Sequence, residues 1–152
     1  MSAHGDAGVV LPGEGRIFWT GRSQAQVKIE AAEDRSFVMF QASPPPGVPG
    51  PPQHVHRDYD EAWYIIDGEV EFDLGADTYS CPTGSVVFAP RGTAHCFRNR
   101  GPATARMLVV ASPPALPLVE GLGRLTGGGG PPDMAAVNAL LAQHQTVNVD
   151  GP

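Results

Sequence analysis

Residues 54–63 read HVHRDYDEAW. Two of the chain's five histidines stand one residue apart, and a carboxylate, Glu61, follows five residues after the second. In an extended strand, residues i and i+2 share a face. An extended segment 53–56 therefore sends His54 and His56 inward and Val55 outward. The four polar residues RDYD let the chain turn and return Glu61 beside the histidines. Trp63 and Ile65 share the side of Glu61, which predicts that this side faces an interior. His95 is the remaining histidine on a convincing strand; His4 lies in the N-terminal segment and His144 in the tail. Imidazoles plus a carboxylate suit a first-row transition metal used for redox or Lewis-acid chemistry. Three imidazoles and one carboxylate leave positions open, as in a catalytic rather than a structural site. Asp58 and Asp60 read as solvated loop residues; Asp60 replaces Glu61 only with the opposite strand phase.

The elements that must position these groups read as short strands. RIFWT (16–20), AQVKIEAA (25–32) and RSFVMFQA (35–42) are strand candidates, with a hairpin turn at Glu33-Asp34. SPPPGVPGPP (43–52) admits neither helix nor ladder and predicts an extended loop. In EAWYIIDGEVEFDL (61–74), two β-rich runs flank Asp67-Gly68, which predicts a tight hairpin. Val70, Phe72 and Leu74 alternate there with Glu69, Glu71 and Asp73, giving one buried and one wet face. Further strands are expected at 77–80, 85–90, 95–99 and 105–112. The pattern predicts an all-β sandwich or barrel over residues 15–112, after a flexible N-terminal arm, 1–14. A tail follows, 113–152, with short helices packing outside the β body. Residues 115–125 predict a weak helix, GGGG (127–130) a break, and 133–144 a second helix. Asp133 is the N-cap candidate of that second helix, and Met134, Val137, Leu140, Leu141 and His144 fall on one face. Inward-facing candidates are Phe37, Met39, Gln41, Trp63, Ile65, Phe72, Val86, Phe88, Phe97 and Met107 or Leu108. Of these, Met39, Gln41, Trp63, Phe72, Phe88 and Phe97 are the candidate substrate pocket. Tyr64 is expected to face outward under the tail helix, and Cys96 to point away from His95.

Composition narrows the function class. A chain of 152 residues with 41% hydrophobic content builds one compact core. Net charge is −6 with no basic run, so nucleic acid is not an expected partner. No apolar run is long enough for a membrane span. The start carries neither the charged n-region nor the apolar h-region of a secretion signal. Cys81 and Cys96 lack C-x-x-C spacing and read as reduced thiols of a cytoplasmic protein. Triad, phosphate-loop and dinucleotide signatures are absent.

Two motifs carry a family resemblance. His54, His56, Glu61 and Gly68 fit H-x-H-x3,4-E-x6-G, and GSVVFAPRGTAHCFRN (84–99) fits G-x5-P-x-G-x2-H-x3-N through Gly84, Pro90, Gly92, His95 and Asn99. The chain resembles a cupin, similar to small single-domain, quercetinase-like bacterial members, with 15 residues (69–83) between the motifs. One departure is the leading glycine of the first motif: neither Gly47 nor Gly50 has the family spacing. The resemblance implies a double-stranded β-helix (jelly-roll) barrel with His54, His56, Glu61 and His95 as ligands of one divalent transition-metal ion: Fe, Mn, Ni, Co, Cu or Zn. It implies a small-molecule substrate, a homodimer, and a dioxygenase in which Glu61 is both ligand and general base. Two other readings stay open: a non-redox cyclase or isomerase of secondary metabolism, and a small-molecule-binding module without turnover.

Overall fold

A computed structural model describes residues 7–48, 50–128 and 130–149. The β body consists of β1 (Ile17–Thr20), β2 (Ser23–Ile29), β3 (Val38–Ser43), β4 (His54–His56), β5 (Glu61–Asp67), β6 (Glu69–Leu74), β7 (Asp77–Pro82), β8 (Val86–Ala89), β9 (His95–Arg98) and β10 (Arg106–Ala111). The tail adds α1 (Ala115–Thr126), α2 (Met134–Gln143) and β11 (Thr146–Asn148). Two antiparallel sheets form, one in the order β1-β2-β3-β10-β5-β8 and the other β11-β4-β9-β6-β7. They lie face to face as the sandwich form of the jelly roll and do not close into a continuous barrel.

The chain changes sheet where the sequence reading placed a hairpin. β5 pairs with β10 and β8, whereas β6 pairs with β7 and β9. Asp67-Gly68 is thus a corner between sheets. Gly68 takes φ +88° there, a conformation that β-branched or bulky residues avoid. The Glu33-Asp34 hairpin does form, since β2 and β3 pair antiparallel. Inside the sandwich, Val27, Val38, Phe40, Trp63, Ile65, Val70, Phe72, Met107 and Val109 are all buried.

Strand phase departs from expectation at two places. In β3, Val38, Phe40 and Ala42 face the core, so Met39 and Gln41 take the opposite face, and Phe37 before the strand is exposed. In β8, Val87 and Ala89 face the core, whereas Val86 and Phe88 are 70% and 57% exposed. Leu108 likewise lies on the outer side of β10, opposite the buried Met107. In β8 both residue sets are apolar, so the period-2 signal carries no phase; in β3 the polar Gln41 and Ser43 mark the outer face, with Met39 sharing it.

The tail helices pack elsewhere than under Tyr64, which faces outward and is 46% exposed. α1 lies against β1, and α2 against α1 and β11. Gly121 and Gly123 lower the helix propensity of α1 but permit close contact. A Cβ on Gly123 would sit 2.4 Å from the Trp19 carbonyl oxygen. Asp133 caps α2, accepting from the amides of Ala135 and Ala136. Val137 and Leu141 are buried, while Met134, on the same expected stripe, is exposed. β11 was not foreseen as a strand. No helix among the described residues is long and apolar enough to cross a membrane.

Candidate metal centre

β4 carries His54 and His56, β5 begins with Glu61, and β9 begins with His95. β4 and β9 pair at His54 and His95, which sets the first two imidazoles side by side. Glu61 enters from the other sheet, opposite Ala89 and Ala111. One potential donor atom from each of the four residues falls within 4.8 Å of the others. His56, Glu61 and His95 are buried, and His54 is partly exposed, which makes it the ligand nearest solvent. Glu61 Oε2 lies 3.2 Å from His56 Nε2 and 3.1 Å from His95 Nε2.

The hydrogen bonds behind the rings assign their tautomers. His54 Nδ1–H donates to the Pro52 carbonyl at 2.8 Å, and His95 Nδ1–H to the Thr93 carbonyl at 2.9 Å. His56 Nδ1 lies 2.8 Å from Thr146 Oγ1, whose own hydrogen goes to the His144 carbonyl at 3.2 Å. The Thr146 oxygen therefore accepts from His56 Nδ1–H. The Nε2 lone pairs of His56 and His95 then face Glu61 Oε2, and His54 offers its Nε2 to the same cluster. Neutral imidazole lone pairs repel a carboxylate where neither a hydrogen nor a cation lies between; the Tyr59 hydroxyl, 3.0 Å away, can serve His56 Nε2, and a cation would serve all three rings. The donor chemistry thus fits a divalent transition metal, with its outer hydrogen bonds already in place.

Electrostatics agree with ligands held in their metal-binding protonation states. Burial, reinforced by the neighbouring His95 and His56, lowers His54 to about 4, so it is neutral at pH 7. Burial alone would raise Glu61, but the adjoining His56 and His95 side chains outweigh it and lower the carboxyl to about 2.

Two site residues escaped the sequence reading. Tyr59, inside the polar-looking RDYD loop, is 1% exposed; it stacks on His56 with ring centroids 4.0 Å apart, and its hydroxyl lies 3.0 Å from His56 Nε2. Thr146 belongs to the tail. The alternating TVNV was the available signal for it. Of the expected pocket residues, Trp63, Phe72 and Phe97 are gathered inside: Trp63 lies 5.4 Å from His95 and 5.2 Å from Phe72, and Phe72 lies 5.8 Å from Phe97, between ring centroids. Met39, Gln41 and Phe88 lie on the far face of the six-stranded sheet and cannot line this site. Asp60 is committed to Arg91, accepting from its backbone amide at 2.8 Å and from its guanidinium. Asp58 corrects the solvated-loop reading: its Oδ1 is buried and has no hydrogen-bond partner among the described residues. Cys96 does point away from His95, but it rests against Asp73 rather than in the core.

Gly50, one of the two glycines at odds with the motif spacing, has a steric role. Its φ is +73°, and a Cβ there would fall 1.8 Å from the Phe97 carbonyl oxygen. The loop before the histidines therefore lies directly on β9, two residues from His95.

Comparison with known proteins agrees with this architecture. Residues 41–111 match the family model described as Cupin domain. A segment of 53 residues is 34% identical to quercetin 2,3-dioxygenase of Bacillus subtilis, covering 35% of this chain and 16% of that protein. Another of 61 residues is 33% identical to polyketide synthase CurC of Streptomyces cyaneus, covering 40% of each. The chain spans about half or less of the curated relatives it matches. The solved polyketide cyclase RemF from Streptomyces resistomycificus superposes with a TM-score of 0.61 at 22% identity, over 71% of this chain and 80% of that one, a likeness of fold. With motifs, sandwich and converging donors in agreement, residues 41–111 of this chain are a cupin domain.

Proposed function

We propose that the chain is a metal-dependent cupin enzyme that oxidises an aromatic or hydroxy-ketone small molecule as a dioxygenase, in the cytoplasm. The observation that carries the metal reading is the set of three Nε2 lone pairs and one buried carboxylate converging on a single point. A first-row metal held by His54, His56, Glu61 and His95 supplies Lewis acidity and, if redox-active, electron transfer with dioxygen. The chain's own residues do the rest. Both imidazole contacts of Glu61 fall on Oε2, which leaves Oε1 to take a proton from a substrate hydroxyl. Tyr59 holds a hydroxyl hydrogen at the same spot. Trp63, Phe72 and Phe97 supply an apolar aromatic wall suited to a planar substrate. The segment shared with quercetin 2,3-dioxygenase favours oxygen chemistry.

A second reading, a non-redox cyclase acting on a polyketide-like carbonyl compound, draws on the segment shared with CurC. Metal analysis of the purified chain, followed by an oxygen-electrode trace with flavonols, separates the two. Iron, manganese, nickel, cobalt or copper with oxygen uptake is the expected result. Zinc, product formation and no uptake would move the assignment to the cyclase. In the same assay His54→Ala should lose metal and turnover together.

A further inference from the structure

We propose that the C-terminal tail completes the metal centre: β11 is a clasp that sets His56 for metal binding, and Thr146 is its positioning residue. The inference rests on the metal reading above. His54 and His95 are set by their own loops, since each Nδ1–H donates to a carbonyl two residues back, that of Pro52 and that of Thr93. His56 differs. Its Nδ1 meets Thr146 Oγ1 at 2.8 Å, a partner 90 residues away and outside the cupin domain at 41–111. Among the described residues, the outer hydrogen bond of the third imidazole thus comes from the tail.

β4 is too short to be held by its own sheet neighbour alone. Its three residues pair with β9 at one position, but with β11 at three: Thr146 with His56, Val147 with Val55 and Asn148 with His54. Arg57 N–H to the Gln145 carbonyl at 3.1 Å and Val149 N–H to the Gln53 carbonyl at 2.9 Å carry the ladder past both ends of β4. Residues directly opposite in an antiparallel pair present their side chains on one face. The register therefore turns Thr146 inward beside His56, and Thr146 is 3% exposed where Val147 is 46%.

The hydroxyl works in one direction. Thr146 Oγ1 lies 3.2 Å from the His144 carbonyl, which only accepts. A hydroxyl has one hydrogen; with that hydrogen on the carbonyl, its oxygen accepts from His56 Nδ1–H and leaves the lone pair on Nε2. The turn from α2 into β11 places that carbonyl. His144 caps α2, its N–H reaching the Leu140 and Leu141 carbonyls, and Gln145 follows at φ +51°. The buried Val137 and Leu141 anchor the helix. Without the Thr146 hydroxyl, Nδ1–H loses its acceptor. The proton is then better placed on Nε2, 3.2 Å from Glu61 Oε2, where it competes with a metal ion.

Co(II) titration of the full chain reads affinity. Nitrogen-15 NMR of the metal-free chain at pH 8, where imidazole is ordinarily neutral, reads the His56 tautomer. Thr146→Val keeps the branched shape; it should lose about 10- to 100-fold in affinity and move the His56 proton from Nδ1 toward Nε2. Thr146→Ser should keep the Nδ1–H tautomer and stay within about 3-fold of the parent's affinity. Gln145 is exposed, so Gln145→Val and Gln145→Gly probe the turn without touching the site. Valine is strained at a positive φ and should weaken Co(II) about 3-fold or more, whereas glycine should match the parent. Equal Co(II) affinity in the parent and Thr146→Val, or a loss in Thr146→Ser as large as in Thr146→Val, overturns the clasp. So does an Nε2–H tautomer in the metal-free parent, or equal affinity in the two Gln145 variants. A parent that binds no Co(II) counts against the metal reading instead, and the tautomers of the parent and Thr146→Val then decide the role of Thr146 by themselves.

Discussion

Glu61 is the residue on which the chemistry turns. It is buried, it meets two imidazoles through one oxygen, and those contacts hold it ionised. Glu61→Gln keeps the volume and one acceptor oxygen but loses the charge and the proton acceptor. Metal affinity should fall about 10-fold or more, and turnover should vanish even at saturating metal. Titration with Co(II) alongside steady-state assay separates the two effects. Full turnover at saturating metal would remove Glu61 as the base. Tyr59 presents a milder case. Tyr59→Phe preserves the stack on His56 and deletes the hydroxyl 3.0 Å from Nε2. If the hydroxyl serves the substrate, kcat should drop about 10-fold or more while Co(II) affinity stays within about 2-fold.

At the scale of elements, the site depends on three crossings rather than on one rigid scaffold. The H-x-H strand, the strand opened by Glu61 and the strand opened by His95 are each fixed by a different neighbour. Gly50 is where the first rests on the third. Gly50→Ala forces a left-handed φ on an alanine and drives its Cβ into a backbone carbonyl. The expected cost is about 3 kcal/mol, with weakened metal binding, read by denaturant unfolding and Co(II) titration. A neutral result would mean that the loop lifts off β9 freely. The elements also show what a single sequence can and cannot disclose. His54 and His56 were legible because H-x-H needs only the alternation of a strand, and Glu61 and His95 through the strands they open and the two motifs. β6 was legible because Glu69, Glu71 and Asp73 mark its wet face. Val86 and Phe88 were misplaced because β8 is apolar on both faces, so alternation gives no sign; Met39 and Gln41 were misplaced although Gln41 and Ser43 mark the outer face of β3. The Asp67-Gly68 corner looked like a hairpin because the same turn chemistry serves a strand that stays in its sheet and one that leaves it. TVNV marked a possible strand around Thr146, but nothing local tied it to His56, 90 residues away.

At the scale of the whole molecule, the two outer faces have opposite characters, and the charged one sets the acid limit of stability. Asp73 is held at about 2, below the ordinary 3.8, first by hydrogen bonds from Arg98 and then from Thr78; Glu71 is lowered by Arg98 and Arg100. A carboxyl depressed in the folded state stabilises the fold above its unfolded value. That contribution is lost as pH falls from near 4 toward 2, when protonation breaks the pairs on Arg98. The thermal midpoint should therefore decline steeply over that window. Arg98→Ala removes the cause of the depression, since Arg98 bonds both oxygens of Asp73 and also Glu71. The variant should be less stable than the parent at pH 7, and its midpoint should fall less between pH 4 and 2, so the two curves converge in acid. The pairs are partly exposed, so added salt should shrink the difference at neutral pH. Glu61 and His54 also titrate toward this range in the metal-free chain, but they do so in parent and variant alike, so the difference between the two curves reports on the Arg98 network. Parallel curves, with no convergence at low pH, would place the acid limit somewhere other than this network.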